Sequence, residues 1–197
     1  MKTKHILLIL GVFTALAFSG PNKLVNKRMP YFEGTTISGM KVDSSFFRNK
    51  VTLISFMYIG CPPCMREIRQ LNKMKKENTH PDFQILGICA GTAQQLADFN
   101  SDNATIYSQA RKKAKVDSLE YFLLPECASE KEKKNPNTLG PECYVISKLF
   151  KVFAYPTSFL IDKKGKVRYA FSGYVTEQDE EAYIKELKAE ITSLLAE

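Results

Sequence analysis

Two cysteines stand two residues apart in Phe56-Met57-Tyr58-Ile59-Gly60-Cys61-Pro62-Pro63-Cys64, after an apolar run and before a helical pattern. A thiol at a helix N-terminus meets the positive end of the backbone dipole and unbonded N–H groups. Both favour thiolate, and such sites bring a cysteine pKa from about 8.5 to between about 3.5 and 7.5. Cys64 falls one helical turn on, close enough to close a disulfide with Cys61 and expel whatever Cys61 has attacked. The spacing therefore suits thiol–disulfide exchange, with Cys61 as nucleophile and Cys64 as resolving thiol. Pro62 and Pro63 stiffen the turn and fit the first helical positions, but they also deprive a thiolate of two N–H donors. These effects oppose one another, so the motif alone leaves the redox potential open. The alternative is structural: a static disulfide or half of a metal knuckle.

Three further cysteines complete the set. Cys127 and Cys143 enclose fifteen residues; a structural disulfide there would constrain the unfolded loop by about 3 kcal/mol in the chain-entropy model. A second redox relay exchanging electrons with Cys61 and Cys64, or two separate thiols, are the other readings. Cys89 ends a predicted buried strand, where cysteine behaves as a small hydrophobe. A zinc site from Cys61, Cys64, Cys127 and Cys143 would have one suitable knuckle and one wide pair. The only histidines are His5 and His80. No metal and no cofactor is expected.

The elements that must position these thiols are legible in the patterning. Val51 to Ile59 is almost continuously apolar and β-branched at its start, as in a buried central strand. Met65, Ile68, Leu71 and Met74 then recur at helical spacing, and Asn78, His80 and Pro81 stop that helix. Phe83 to Ala90 is a second buried strand. Thr92 to Lys115 reads as helix broken near Asn100 to Asn103, and Ser118 to Leu124 as a short apolar piece. A polar loop from Pro125 to Pro141 and an amphipathic helix from Tyr144 to Phe153 follow. Thr157 to Ile161 and Lys166 to Phe171 flank Asp162-Lys163-Lys164-Gly165 as a hairpin. Thr176-Glu177-Gln178-Asp179 opens a last helix whose apolar face is Tyr183, Ile184, Leu187, Ile191, Leu194 and Leu195. This order predicts an α/β fold: a central mixed sheet flanked by helices.

The chain has 197 residues, 44% of them hydrophobic, which suits one domain with a substantial core and a short appendage. Lys2 and Lys4 precede an apolar run from Ile6 to Phe18, and Ala15-Leu16-Ala17 offers a small-residue cleavage site. Residues 1–19 are thus expected to be a signal peptide or, uncleaved, an N-terminal membrane anchor. Residues 20–28 are expected to be a tether. Export predicts an extracytoplasmic, oxidising setting for all five cysteines. The net charge of +7 falls to about +5 without Lys2 and Lys4. Basic runs at Arg111 to Lys115 and Lys131 to Lys134 read as solvated surfaces, or else as docking sites for an acidic partner or anionic membrane. No interleaving of aromatic and basic residues supports a nucleic-acid groove.

Four patches, in order, resemble the thioredoxin superfamily, specifically its exported TlpA/ResA-like branch, an AhpC/TSA-related thioredoxin-like domain. Met29-Pro30-Tyr31-Phe32 with Gly39 is similar to that branch's N-terminal β extension. Asn49-Lys50-Val51-Thr52-Leu53-Ile54-Ser55-Phe56 is similar to the strand entering the active site, and Cys61-Pro62-Pro63-Cys64 to the redox motif. Tyr155-Pro156-Thr157-Ser158-Phe159-Leu160-Ile161-Asp162, with Gly165 and Gly173, is similar to the cis-proline segment. The resemblance implies a thioredoxin-like domain over residues 29–197, with 125–143 as an inserted loop before the cis-proline. It implies a cis bond at Pro156 and substrate contacts by Tyr155, Pro156 and Thr157. Two departures stand out: Gly60 replaces the usual tryptophan, and Ser55 occupies the place of the buried aspartate that assists proton transfer. Removing the Cys64 proton therefore needs water or another group.

The implied function is an exported thiol–disulfide oxidoreductase reducing disulfides in extracytoplasmic proteins, including in cytochrome c maturation. Its electrons would come from a membrane-bound thiol donor. The alternatives are a disulfide-forming oxidase and a non-catalytic binding module of the same fold. Copper delivery of the Sco type needs C-x-x-x-C with a distant histidine, and peroxidase chemistry needs P-x-x-x-T-x-x-C. Neither pattern is present around Cys61.

Overall fold

The computed structural model describes residues 21–101, 108, 111–112, 115–116, 118–127, 141–173 and 176–197. The expected signal or anchor at 1–19, the basic run Lys131 to Lys134 and residues 128–140 of the 125–143 loop lie outside the described residues. At the centre is β3 (Val51–Met57), all seven residues of which are buried. Its neighbour β4 (Phe83–Cys89) runs parallel to it, as a strand–helix–strand crossover requires. The crossover helix is α1 (Pro62–Glu77). Beyond β4 lies β5 (Phe122–Pro125), also parallel. On the other side β6 (Thr157–Ile161) is antiparallel to β3, and β7 (Val167–Ser172) is antiparallel to β6. The sheet order is β5-β4-β3-β6-β7.

Alternation along β3 feeds two cores, one on each face of the sheet. Val51 and Leu53 meet Met65, Ile68, Leu71 and Met74 of α1, together with Leu96 and Phe99 of α2 (Ala93–Ser101). Tyr183, Leu187, Ile191 and Leu194 of α4 (Glu177–Ala196) close the same layer. Ile54 and Phe56 face the opposite way, into an aromatic cluster with Phe32, Phe47, Phe150 and Phe159. Phe56, Phe150 and Phe159 lie with ring centroids 5.1–5.8 Å apart. Ser55 is the polar exception on the α1 side of the strand, directly opposite Ser158 of β6.

Local chemistry sets the element ends. Thr176 caps α4 by accepting the Asp179 N–H, and Gly165, at φ +77°, turns the β6–β7 hairpin. The N-terminal extension is a short hairpin of β1 (Gly34–Thr35) and β2 (Lys41–Val42), turned at Gly39. The helix expected from Tyr144 to Phe153 is shorter: a 3-10 turn, Pro141–Tyr144, leads into α3 (Val145–Leu149). Lys151, at φ +56°, then turns the chain away.

The stretch expected as a tether differs as well. Pro21–Leu24 forms a 3-10 turn, and the following residues pair with the outer side of β7. The Asn26 N–H donates to the Val167 carbonyl at 2.7 Å, and the Val167 N–H to the Lys27 carbonyl at 2.8 Å. The cause is that β7 is an edge strand with backbone groups to satisfy, and Leu24 adds a buried side chain. Polarity alone concealed both.

Candidate active site

Cys61 is the N-cap of α1, and Pro62 and Pro63 occupy its first turn, where a missing N–H costs nothing. Cys61 and Cys64 are joined in a disulfide with their Cα atoms 5.1 Å apart. The first backbone donor available past the prolines, the N–H of Cys64, lies 3.2 Å from the Cys61 sulfur. The helix terminus therefore aims a donor at the position a Cys61 thiolate would hold. Gly60 precedes it at φ +89°, a conformation that a tryptophan there would adopt only under strain, so the substitution is built into the backbone.

The structure brings Tyr155 and Pro156 to the same place. The Tyr155–Pro156 peptide bond is cis, and the Tyr155 carbonyl oxygen lies 3.9 Å from the Cys61 sulfur. Tyr58, 38% exposed, meets the Tyr155 ring edge-on at 5.7 Å, so it borders the site. Thr157 is placed differently from the expectation. Its side chain is fully buried, with the hydroxyl donating to the Ala154 carbonyl at 2.7 Å and lying 2.9 Å from the Ser172 hydroxyl. Its hydroxyl braces the turn by tying Ala154 to Ser172 of β7.

Glu67 is a site residue that the sequence patterning does not single out. It lies one turn after Cys64 on the buried stripe of α1, and its two carboxylate oxygens accept from Ser55 and Ser158, each at 2.7 Å. Burial pushes its carboxyl above the ordinary 4.5, while the two serine hydroxyls pull it down. The group absent at Ser55 is thus supplied from the facing helix, with Ser55 holding it. Glu67 also lines a small cavity with Pro63, Gln70, Pro156 and Tyr183, which joins it to the cis-proline side. The available signal was a glutamate among apolar residues at i+3 from Cys64, on the face that also carries Ile68 and Leu71.

The remaining cysteines form a second region. Cys127 and Cys143 are bonded, and both are buried. The Cys127 N–H donates to the Gly91 carbonyl at 3.2 Å, which seats the bridge beside the end of β4. Cys89 is a free, fully buried thiol, pushed up to about 12 chiefly by burial. At ordinary pH it is therefore not a nucleophile.

A family model described as the AhpC/TSA family matches residues 25–170. Among relatives, the thiol-disulfide oxidoreductase ResA of Bacillus cereus is 28% identical over 171 residues, covering 86% of this chain and 83% of its own. ResA of Geobacillus kaustophilus is 22% identical over 193 residues, covering 95% of each. A putative thiol:disulfide interchange protein DsbE from Chlorobium tepidum shares the fold at TM-score 0.56 and 22% identity, covering 85% of this chain and 97% of that one. A putative protein disulfide isomerase from Bacteroides thetaiotaomicron shares it at TM-score 0.59 and 20% identity, covering 88% and 91%. With the C-x-x-C at a helix start and the cis-proline opposite it, the chain belongs to the AhpC/TSA family as a ResA/TlpA-like thiol–disulfide oxidoreductase of the thioredoxin superfamily.

Proposed function

We propose that this protein reduces disulfides in extracytoplasmic proteins, with Cys61 as nucleophile and Cys64 as resolving thiol. The observation that carries the reading is the alignment of three groups on one reactive pair. The α1 terminus supports Cys61, the Tyr155 carbonyl lies beside its sulfur, and Glu67 is buried one turn beyond Cys64. Support for the setting comes from Lys2, Lys4 and the apolar run after them, and from the ResA relatives. Apocytochrome c is among the recipients this reading includes.

In the reduced enzyme the Cys61 thiolate attacks one sulfur of a substrate disulfide. A Cys61–substrate bond forms, the substrate S–S bond breaks, and one substrate thiolate leaves and takes up a proton. Cys64 passes its proton to the Glu67 carboxylate and attacks the Cys61 sulfur. That closes Cys61–Cys64 and releases the second substrate thiol. Two electrons have moved to the substrate, and a membrane-bound dithiol donor restores them. Backbone pairing at Tyr155 holds the substrate chain extended during attack, since the proline ring leaves no competing N–H at that point.

The opposite direction, a disulfide-forming oxidase, uses the same residues. The Cys61/Cys64 reduction potential separates the two. A value near the thioredoxin range of about −270 mV supports the reductase, and one near about −120 mV assigns the oxidase. Loss of biological activity in Cys61→Ser supports catalysis, whereas full retention would make the protein a binding module.

A further inference from the structure

Beyond the reactive pair, a line of buried polar contacts runs from the base of the Cys127–Cys143 loop to Tyr155. Glu126 is the residue just before Cys127, and only 8% of it is exposed. Its backbone N–H donates to the Cys89 carbonyl at 2.8 Å, which fixes it at the end of β4. One carboxylate oxygen accepts the Ser147 N–H at 2.5 Å, and the other accepts the Ser147 hydroxyl at 2.6 Å. The Ser147 oxygen lies 3.1 Å from the Tyr155 hydroxyl. Tyr155 is the residue whose carbonyl stands 3.9 Å from the Cys61 sulfur.

Such an arrangement needs a physical reason, because burying a carboxylate is costly unless its oxygens are satisfied. The reason lies in α3. Its N-cap residue, Tyr144, makes no side-chain capping bond, so the Ser147 N–H takes its acceptor from elsewhere. Glu126 supplies that acceptor from a distant part of the chain and contributes a negative charge where a helix start favours one. The helix it caps carries Ser147 on its inner side, with Val145 and Leu149 exposed on the other. Capping α3 therefore sets the position of the Ser147 hydroxyl, and that hydroxyl meets Tyr155. The Cys127–Cys143 bond joins the same two segments covalently, one residue after Glu126 and four before Ser147.

We propose that Glu126 and Ser147 are positioning residues for substrate capture: they hold Tyr155 by its hydroxyl so that its backbone beside Cys61 is fixed for pairing with an extended polypeptide. This rests on exchange at Cys61 and not on the direction of electron flow. It places the control of polypeptide docking on the side of the sheet away from Glu67. It also separates two properties: the intrinsic reactivity of Cys61, set by α1, and the docking of a chain, set by the Tyr155 brace.

The test compares two substrates with the reduced full-length protein. Insulin is a disulfide-bonded polypeptide that needs the backbone surface, and 2-hydroxyethyl disulfide is too small to use it. Ser147→Ala and Glu126→Ala are expected to lower kcat/KM for insulin by about three- to tenfold, mainly through KM, as loss of one hydrogen bond implies. The rate with 2-hydroxyethyl disulfide should stay within about twofold of the native rate by the same arithmetic. Glu126→Gln, which keeps an acceptor, should recover part of the loss, and the Ser147→Ala/Glu126→Ala double variant should be no worse than the worse single one. If Glu126→Ala does not fold, Ser147→Ala, which deletes one hydroxyl, decides alone. Unchanged insulin kinetics in Ser147→Ala would overturn the proposal, as would equal losses on both substrates. The exchange reading fails separately, if Cys61→Ser still reduces insulin.

Discussion

The molecule buries a glutamate beside each of its two disulfides, and the two glutamates are buried to different ends. Glu67 sits mid-helix behind Cys61–Cys64 and is met by two serine hydroxyls, from Ser55 and Ser158. Glu126 sits in a loop beside Cys127–Cys143 and is met by one hydroxyl and by backbone N–H groups at the start of α3. Hydroxyls reorient freely and can serve a neutral or a charged carboxyl alike. A backbone N–H only donates, so Glu126 holds its cap best as the anion. The first environment suits a group that gains and loses a proton during a reaction. The second suits a group that holds two segments together. Burial raises both carboxyls above the ordinary value.

Glu67→Ala should slow steady-state disulfide reduction by about a hundredfold near neutral pH, the lower range for loss of a general base. The loss should shrink as rising pH ionises Cys64 without help. Stopped-flow fluorescence or absorbance of the mixed-disulfide decay would show it, and an unchanged decay rate would remove Glu67 from the chemistry. On the other side of the molecule, Cys127→Ala/Cys143→Ala should leave Cys61 reactive toward small disulfides but cost about 3 kcal/mol of stability by chain entropy. Urea denaturation under oxidising conditions measures that difference.

A smaller effect follows from proton linkage at Glu67. Its folded carboxyl lies above the unfolded value of 4.5, so between the two the folded protein holds the extra proton. The stability associated with neutral Glu67 is then full in acid and is lost as pH rises through the folded value. Glu67→Gln is neutral at every pH and keeps partners for both serines. It should match the native protein below about pH 4 and exceed it in unfolding free energy near neutral pH. A native protein that is the more stable at neutral pH would reverse the sign and place the carboxylate in a site that favours charge. The smallest effect concerns Cys89. A thiol pushed up to about 12 in a closed core should resist alkylation by iodoacetamide in the folded protein and react only in denaturant.

Much of this site was readable from local pattern. The helix start after Cys61, the apolar stripe of Met65, Ile68, Leu71 and Met74, and the β6–β7 hairpin all follow from short-range spacing. Tyr155-Pro156 was legible through resemblance. Glu67 was not, because periodicity places a glutamate on a buried face without saying which partners allow it there. Those partners, Ser55 and Ser158, are 12 and 91 positions away, and only the β3–β6 register brings them together. Glu126 and Ser147 pose the same difficulty across 21 positions. The docking of Pro21 to Arg28 on β7 was hidden for a related reason: edge-strand backbone groups recruit a neighbour whatever its side-chain polarity. Gly60 was visible as a departure, but its positive φ came only with the backbone.

In the proposed exchange, Cys61 alone joins the substrate and Cys64 releases it. Cys64→Ser isolates the first step, so that variant should accumulate disulfide-linked adducts when mixed with extracytoplasmic polypeptides. Non-reducing gel electrophoresis with mass spectrometry of the linked peptides reads the bond directly. Adducts are expected through Cys61, lost with thiol reductant and absent from Cys61→Ser/Cys64→Ser. Adducts that persist in that double variant, or that map to Cys127 or Cys143, would contradict this exchange.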